Sequence, residues 1–201
     1  MTTTTGIGPA EATLACIARS GVARVTVGDI AREAGVSRST LYRVFPSKRA
    51  LVDAAIAGEA DRVVAVMCAA ADAAPTFATA VAAMVTSGVH AIAASPALRA
   101  VREREPELLH PHLAFSGGDR FLALAADRLA VAFTRWTSDP VRVAEWTTRL
   151  VLCLVWFPHP PVDAHDPAAV LSLVTDFVAP GLAATPEFVP APLRIPVEED
   201  R

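Results

Sequence analysis

The sequence predicts an all-α fold of about nine helices, and three observations carry that prediction. Alanine-rich stretches place apolar residues at three- and four-residue spacing. Each stretch is bounded by a capping residue, proline or glycine, and clusters of strand-favouring aromatic and β-branched residues are sparse. At 201 residues, 53% of them hydrophobic, the chain affords a sizeable core and lies between one and two domains in length.

Taken in order, Ala10 to Ser20 reads as a short helix with Leu14, Ile17 and Ala18 on one face, stopped by Gly21. Thr26 caps a second helix to about Ala34, closed by Gly35, and Ser37 caps a third over Arg38 to Phe45. After Pro46 a longer helix runs from Ser47 to about Ala70, with Leu51, Val52, Ala55, Val63, Val64 and Met67 as its apolar positions. The next covers Thr76 to Ala94, and Ser95–Pro96 opens a short one to Glu103. Glu105 to Gly118, broken by Pro106, Pro111 and Gly117–Gly118, reads as a loop or irregular helix. Helices follow over Asp119 to Thr134, Pro140 to Phe157 and Pro167 to Ala179, and beyond Gly181 a proline-rich tail is expected.

The net charge of −3 divides unevenly. Residues 1–58 carry seven basic and four acidic side chains, a net +3, and the remainder carry −6. A basic head on an acidic body suits a chain that meets phosphate through one end only. Ala73 to Leu98 holds no charged residue, but it is alanine-rich and bracketed by Pro75 and Pro96, so it reads as the buried centre of a helical domain and no membrane span is expected. Met1 to Gly6 has no basic or apolar leader region, and a cytoplasmic location is expected. Cys16, Cys68 and Cys153 read as small core residues.

Catalytic signatures are missing from the sequence: there is no GxSxG setting, no phosphate-cradling glycine loop and no paired metal motif, so the chain is not read as an enzyme and no cofactor is expected. His110 and His112 flank Pro111 without cysteine or well-placed acids, which makes a solvated loop and no metal site. Glu103, Glu105 and Glu107 read as an exposed acidic face.

The chemistry concentrates in residues 26–48, TVGDIAREAGVSRSTLYRVFPSK. Val27, Ile30 and Ala31 give one helix an inward stripe, Val36, Leu41 and Phe45 give the next its own, and Gly35 permits the sharp turn between them. Arg38, Ser39, Thr40, Tyr42 and Arg43 are left outward, a set suited to the major groove, where arginine pairs bidentately with guanine. Thr26 and Lys48, at neighbouring helix starts, are placed to approach phosphates.

The segment Gly21 to Leu51 resembles the DNA-binding domain of the TetR family of bacterial regulators, in which a V-S-x-x-T-L-Y-x-x-F pattern is followed by a lysine; here Val36, Ser37, Thr40, Leu41, Tyr42, Phe45 and Lys48 supply it. The resemblance implies base contacts from Arg38 and Ser39, with Thr40 near bases or backbone, and phosphate contacts from Thr26, Ser37, Tyr42 and Lys48. Val44 departs from the pattern, which favours His or Tyr there, and is expected to pack against the first or fourth helix; the first helix is also short.

The same resemblance implies a domain order: a flexible N-terminus (1–8), a three-helix helix-turn-helix DNA-binding domain (9–54), a helical ligand-binding and dimerisation domain (55–182), and a tail (183–201). The last two helices would form a homodimer interface through Trp146, Leu150, Cys153, Leu154, Phe157, Leu171, Val174, Phe177 and Val178. An apolar effector is expected among Met67, Met84, His90, Phe115, Phe121 and Trp136. The function so implied is a ligand-responsive repressor of an inverted-repeat operator in double-stranded DNA. The alternatives are control by a protein partner, which an effector domain without a cavity would indicate, or action as an activator.

Overall fold

The computed structural model describes residues 7–108, 120–157 and 162–183, and among these all regular structure is helical. The N-terminal trio is α1 (Pro9–Ser20), α2 (Val27–Ala34) and α3 (Arg38–Val44). Then come α4 (Lys48–Asp72), α5 (Phe77–Ala94), α6 (Pro96–Arg104), a 3₁₀ turn at Pro106–Leu108, α7 (Arg120–Phe133), α8 (Pro140–Trp156) and α9 (Pro167–Leu173). A π-turn at Val174–Val178 joins α9 to α10 (Ala179–Ala183).

The helix starts are those the sequence marks. Thr26, Ser37, Ser47, Thr76, Ser95, Asp139 and Asp166 each accept a first-turn amide with the side-chain oxygen, satisfying a donor the helix itself leaves orphaned. α4 has no glycine at its C-terminus. Instead the Arg135 guanidinium, just past α7, donates to the carbonyls of Ala71 at 2.9 Å and of Asp72 at 3.4 Å.

The last helical segment runs past the expected end at Ala179. Pro180 lacks an N–H and its ring crowds the preceding turn. The chain absorbs this by widening to a π-turn, with Ala179 N–H donating to Val174 O, and the helical path continues through Gly181.

Two hydrophobic cores organise the molecule. The smaller gathers Ala12, Cys16 and Ile17 of α1, Ile30, Ala31 and Ala34 of α2, Leu41 of α3, and Leu51 and Val52 of α4. It also takes in Ala97 and Val101 of α6, so a helix that starts 52 residues after the trio ends completes the N-terminal core. The larger core lies among α4, α5, α7, α8 and α9, with Phe133 fully buried and its ring edge-on to Phe77 at 6.3 Å. α5 is apolar and long enough to cross a membrane by composition, but it is the centre of this core, packed by α4, α8 and α9.

Of the cysteines, only Cys16 is fully buried; Cys68 is half-buried and Cys153 is exposed on α8, contrary to its reading as a core residue. The expected loop residues His110, His112, Gly117 and Gly118, the termini 1–6 and most of the tail lie outside the described residues.

Candidate nucleic-acid interface and internal cavity

Gly35 closes α2 in the left-handed conformation (φ 68°), and Val36 N–H returns to Ala31 O at 2.9 Å, which turns the chain sharply into α3. Leu41 is the single buried residue of α3, and Val36 and Phe45 pack partly beside it. One flank of α3 therefore faces the core, and Arg38, Ser39, Tyr42 and Arg43 are exposed on the other, with Thr40 half-buried. The Arg38 guanidinium rests over Gly28, where an added Cβ would collide with it.

Hydroxyls crowd the start of α3. Ser37 Oγ accepts from Thr40 N at 3.1 Å and lies 2.7 Å from Ser39 Oγ and 2.9 Å from Thr40 Oγ1. Thr26 and Asp29 form a reciprocal capping box: Thr26 N donates to Asp29 Oδ2 at 3.1 Å and Asp29 N to Thr26 Oγ1 at 3.2 Å. The Thr26 hydroxyl, which donates to Asp29 Oδ2 at 2.6 Å, and the Thr26 amide, with an added ion pair to Arg32, hold the Asp29 carboxyl below its usual range. The cap is thus complete above the ordinary aspartate pKa and is lost only as pH falls through the lowered value.

Lys48 sits at the first turn of α4, and its ammonium donates to Val22 O at 2.7 Å and Ala23 O at 3.2 Å, fixing the α1–α2 loop. Val44 does not pack on α1 or α4 as expected: it is 66% exposed, because its position on α3 is on the outward flank. Tyr42 is 53% exposed on the same flank. Together Val44, Tyr42 and the arginines make a surface that is cationic and partly apolar.

A cavity of about 90 Å³ lies inside the larger domain, walled by Ile56, Ala60, Val63, Val64 and Met67 of α4, Ile92 of α5, Leu98 of α6, Ala125 and Leu129 of α7, and Thr148, Val151, Leu152 and Trp156 of α8. The Thr148 hydroxyl is spent on Ala144 O at 2.8 Å and the Trp156 Nε1 is covered, so the described wall presents an apolar surface. Of the four among the six expected effector residues whose side chains are described, Met67 alone lines it. Met84 is buried within the core packing. His90 points outward and stacks on His165 at 5.1 Å. Trp136 packs at the core edge under the Arg135 guanidinium, 4.6 Å from its ring centre. Phe115 and the side chain of Phe121 lie outside the described residues.

The nine residues expected at a dimer face divide by burial. Trp146 and Cys153 on α8, Phe157 at its C-cap, and Leu171 and Phe177 further on, are exposed, with Trp146 at 52%, Phe157 at 61% and Phe177 at 78%. Leu150, Leu154 and Val178 are half-buried against the chain's own core. Val174 is fully buried, one helical turn on from the equally buried Val170, and it belongs to that core and to no outer face.

One residue that sequence reasoning misplaced stands out. Glu105 is buried: its carboxylate accepts Val22 N at 2.6 Å and Ala23 N at 2.7 Å. An acidic run on a polar segment gives no signal for such a contact, since the two partners lie over 80 residues away.

Residues 10–55 match the family described as bacterial regulatory proteins, tetR family. The chain is 33% identical over 160 residues to the HTH-type transcriptional regulator AlkX of Mycobacterium tuberculosis, covering 76% of this chain and 75% of that protein. Among solved structures, it is similar to the TetR family repressor AlkX from a Dietzia strain, a protein implicated in biodegradation of n-alkanes, with a TM-score of 0.65 and 20% identity over 87% of this chain and 95% of that one. The transcriptional regulator FadR from Bacillus subtilis, in complex with stearoyl-CoA, superposes with a TM-score of 0.60 and 18% identity over 84% of this chain and 96% of that chain.

Proposed function

The chain belongs to the TetR family of bacterial DNA-binding transcriptional regulators, and from that premise we propose that it is a homodimeric repressor of an inverted-repeat operator, released by an apolar effector. The observation that carries this reading is the division of α3: Leu41 buried, Arg38, Ser39, Tyr42 and Arg43 exposed on the opposite flank. Arg38 and Ser39 contact base edges, with Thr40 beside them, and Thr26, Ser37, Tyr42, Arg43 and Lys48 meet the phosphate backbone. Two copies joined through the exposed face of α8 set their reading helices about 34–36 Å apart, one turn of the duplex.

Selection from random duplexes tests this directly. A palindromic pair of half-sites at one-turn spacing is the expected product, and failure to enrich any sequence would end the reading. Arg38→Ala is expected to flatten the choice of base at one position per half-site by about 1–3 kcal/mol. Unchanged base preference in the selected pool would remove Arg38 from the readout.

The cavity favours an effector over a protein partner. Among the described residues the wall turns no polar surface toward the space, the Thr148 hydroxyl being bonded and the Trp156 Nε1 covered, so burying a charged head there would go uncompensated, and an uncharged hydrocarbon chain fits its chemistry. n-Alkane biodegradation and stearoyl-CoA, connected with two proteins of the same fold, are chemically in keeping with such a wall. At about 90 Å³ the cavity is smaller than the roughly 300–1,000 Å³ of ordinary ligand pockets, so an occupant has to displace a wall. n-Decane is expected to weaken operator binding, and Ala60→Phe, which fills the space, to abolish that response. A decane effect that survives in Ala60→Phe would place the effector elsewhere.

A further inference from the structure

α6, like α4, is a wall of the cavity that also belongs to the N-terminal core. Its Leu98 lines the cavity, whereas Ala97 and Val101 pack against α1 in the smaller core. The N-terminal end of α6 is tethered to α4. Ser95, buried at the cap, hydrogen-bonds Glu59, whose carboxylate receives Arg62 at 2.9 and 3.0 Å, and Arg62 also reaches Ala91 O at 3.3 Å.

The other end of α6 holds the α1–α2 loop. Glu105 takes the amides of Val22 and Ala23, and Arg104 Nη1 donates to Arg19 O at 3.0 Å. The carboxylate comes so near the backbone that a Cβ on Gly21, which has φ 77°, would lie 3.2 Å from both of its oxygens. The carbonyls of the same two residues, Val22 and Ala23, are held by Lys48, which follows α3 by four residues. Glu105 from the effector side and Lys48 from the reading side thus grip one peptide segment from opposite edges.

Resting on the function proposed above, we propose that Glu105 is a positioning residue that makes the helix-turn-helix move with α6, and so couples operator reading to the state of the cavity. At a rise of about 1.5 Å per residue, Leu98 stands about 4.5 Å from the Ser95 tether and Glu105 about 15 Å from it. A displacement of about 1 Å at Leu98 therefore becomes about 3 Å at Glu105 by simple leverage. Bonds of 2.6 and 2.7 Å do not stretch that far, so the loop travels with the carboxylate or the joint parts.

The test uses the full-length protein and needs no identified ligand. Ala60→Phe fills the cavity; Gly88→Ala does so more gently, since the new Cβ would stand 2.9 Å from Met67 Sδ and push that flexible side chain aside. Either filler is expected to weaken operator binding by about tenfold in the parent background and to leave it nearly unchanged in Glu105→Gln, the non-additivity expected of linked sites. Should the Gln variant not fold, Glu105→Asp keeps the charge but falls short of the loop and serves the same purpose.

On the free protein, Glu105→Gln is expected to speed amide exchange at Val22 and Ala23 by about tenfold, the effect of losing a charge-assisted hydrogen bond. Fillers equally effective in both backgrounds, fillers without effect in the parent, or exchange unchanged by Glu105→Gln would each overturn the coupling. A chain that binds no duplex in any background would instead defeat the earlier functional reading, and the exchange measurement would still decide whether the joint exists.

Discussion

Trp146→Asp is expected to convert the protein to a monomer and to lower operator affinity by about 10²–10⁴-fold, the advantage that linking two half-site contacts provides. Trp146 is 52% exposed on α8, Leu150 and Cys153 follow it on the same helix, and Phe157 is the C-cap. These apolar residues recur at helical spacing, and Leu171 and Phe177 are exposed on the segment that follows. Tryptophan is the residue type most apt to dominate such an interface, and a buried aspartate there would face its own copy across the twofold axis. Because the side chain is outside the core, helix content should stay near that of the parent. Sedimentation showing a dimer at micromolar concentration would defeat the assignment of this face.

Leu41→Ala is expected to cost about 2–5 kcal/mol of stability in the N-terminal module and to weaken operator binding at every sequence. α3 is seven residues long and buries Leu41 alone, so its seat on α1 and α2 rests chiefly on that one side chain. An isolated helix of this length has no stability of its own in water. Denaturant titration monitored in the module, together with operator binding of the variant, reads both effects. A loss below about 1 kcal/mol would mean that Val36 and Phe45 seat the helix without Leu41.

Much of the reading module was legible because its determinants are local. Thr26 and Ser37 lie three residues from the amides they cap, and Gly35 sits at the turn whose backbone only glycine adopts freely. The outward flank of α3 follows from the inward one by helical geometry, so Arg38, Ser39, Tyr42 and Arg43 could be placed before any coordinates. Val44 could not, since whether a lone apolar residue meets a neighbour depends on where α1 and α4 lie.

The effector site was the least legible part. Apolar stripes on α4 and α8 are plain in the sequence, but a void between stripes is a property of how several helices fail to close, and no single stripe encodes it. Met84 and Met67 look alike in sequence; one is surrounded by packed neighbours and the other faces open space.

What the sequence determined by itself is therefore the helix inventory, the caps, the basic head and the polar face of the reading helix, all set by interactions within a few residues. Only the tertiary structure decided that α6 joins the N-terminal core, that Val174 turns inward, where the cavity lies, and that Glu105 grips a loop more than 80 residues away. Those outcomes depend on long-range packing and on charges finding partners across the fold, and local periodicity carries no information about either.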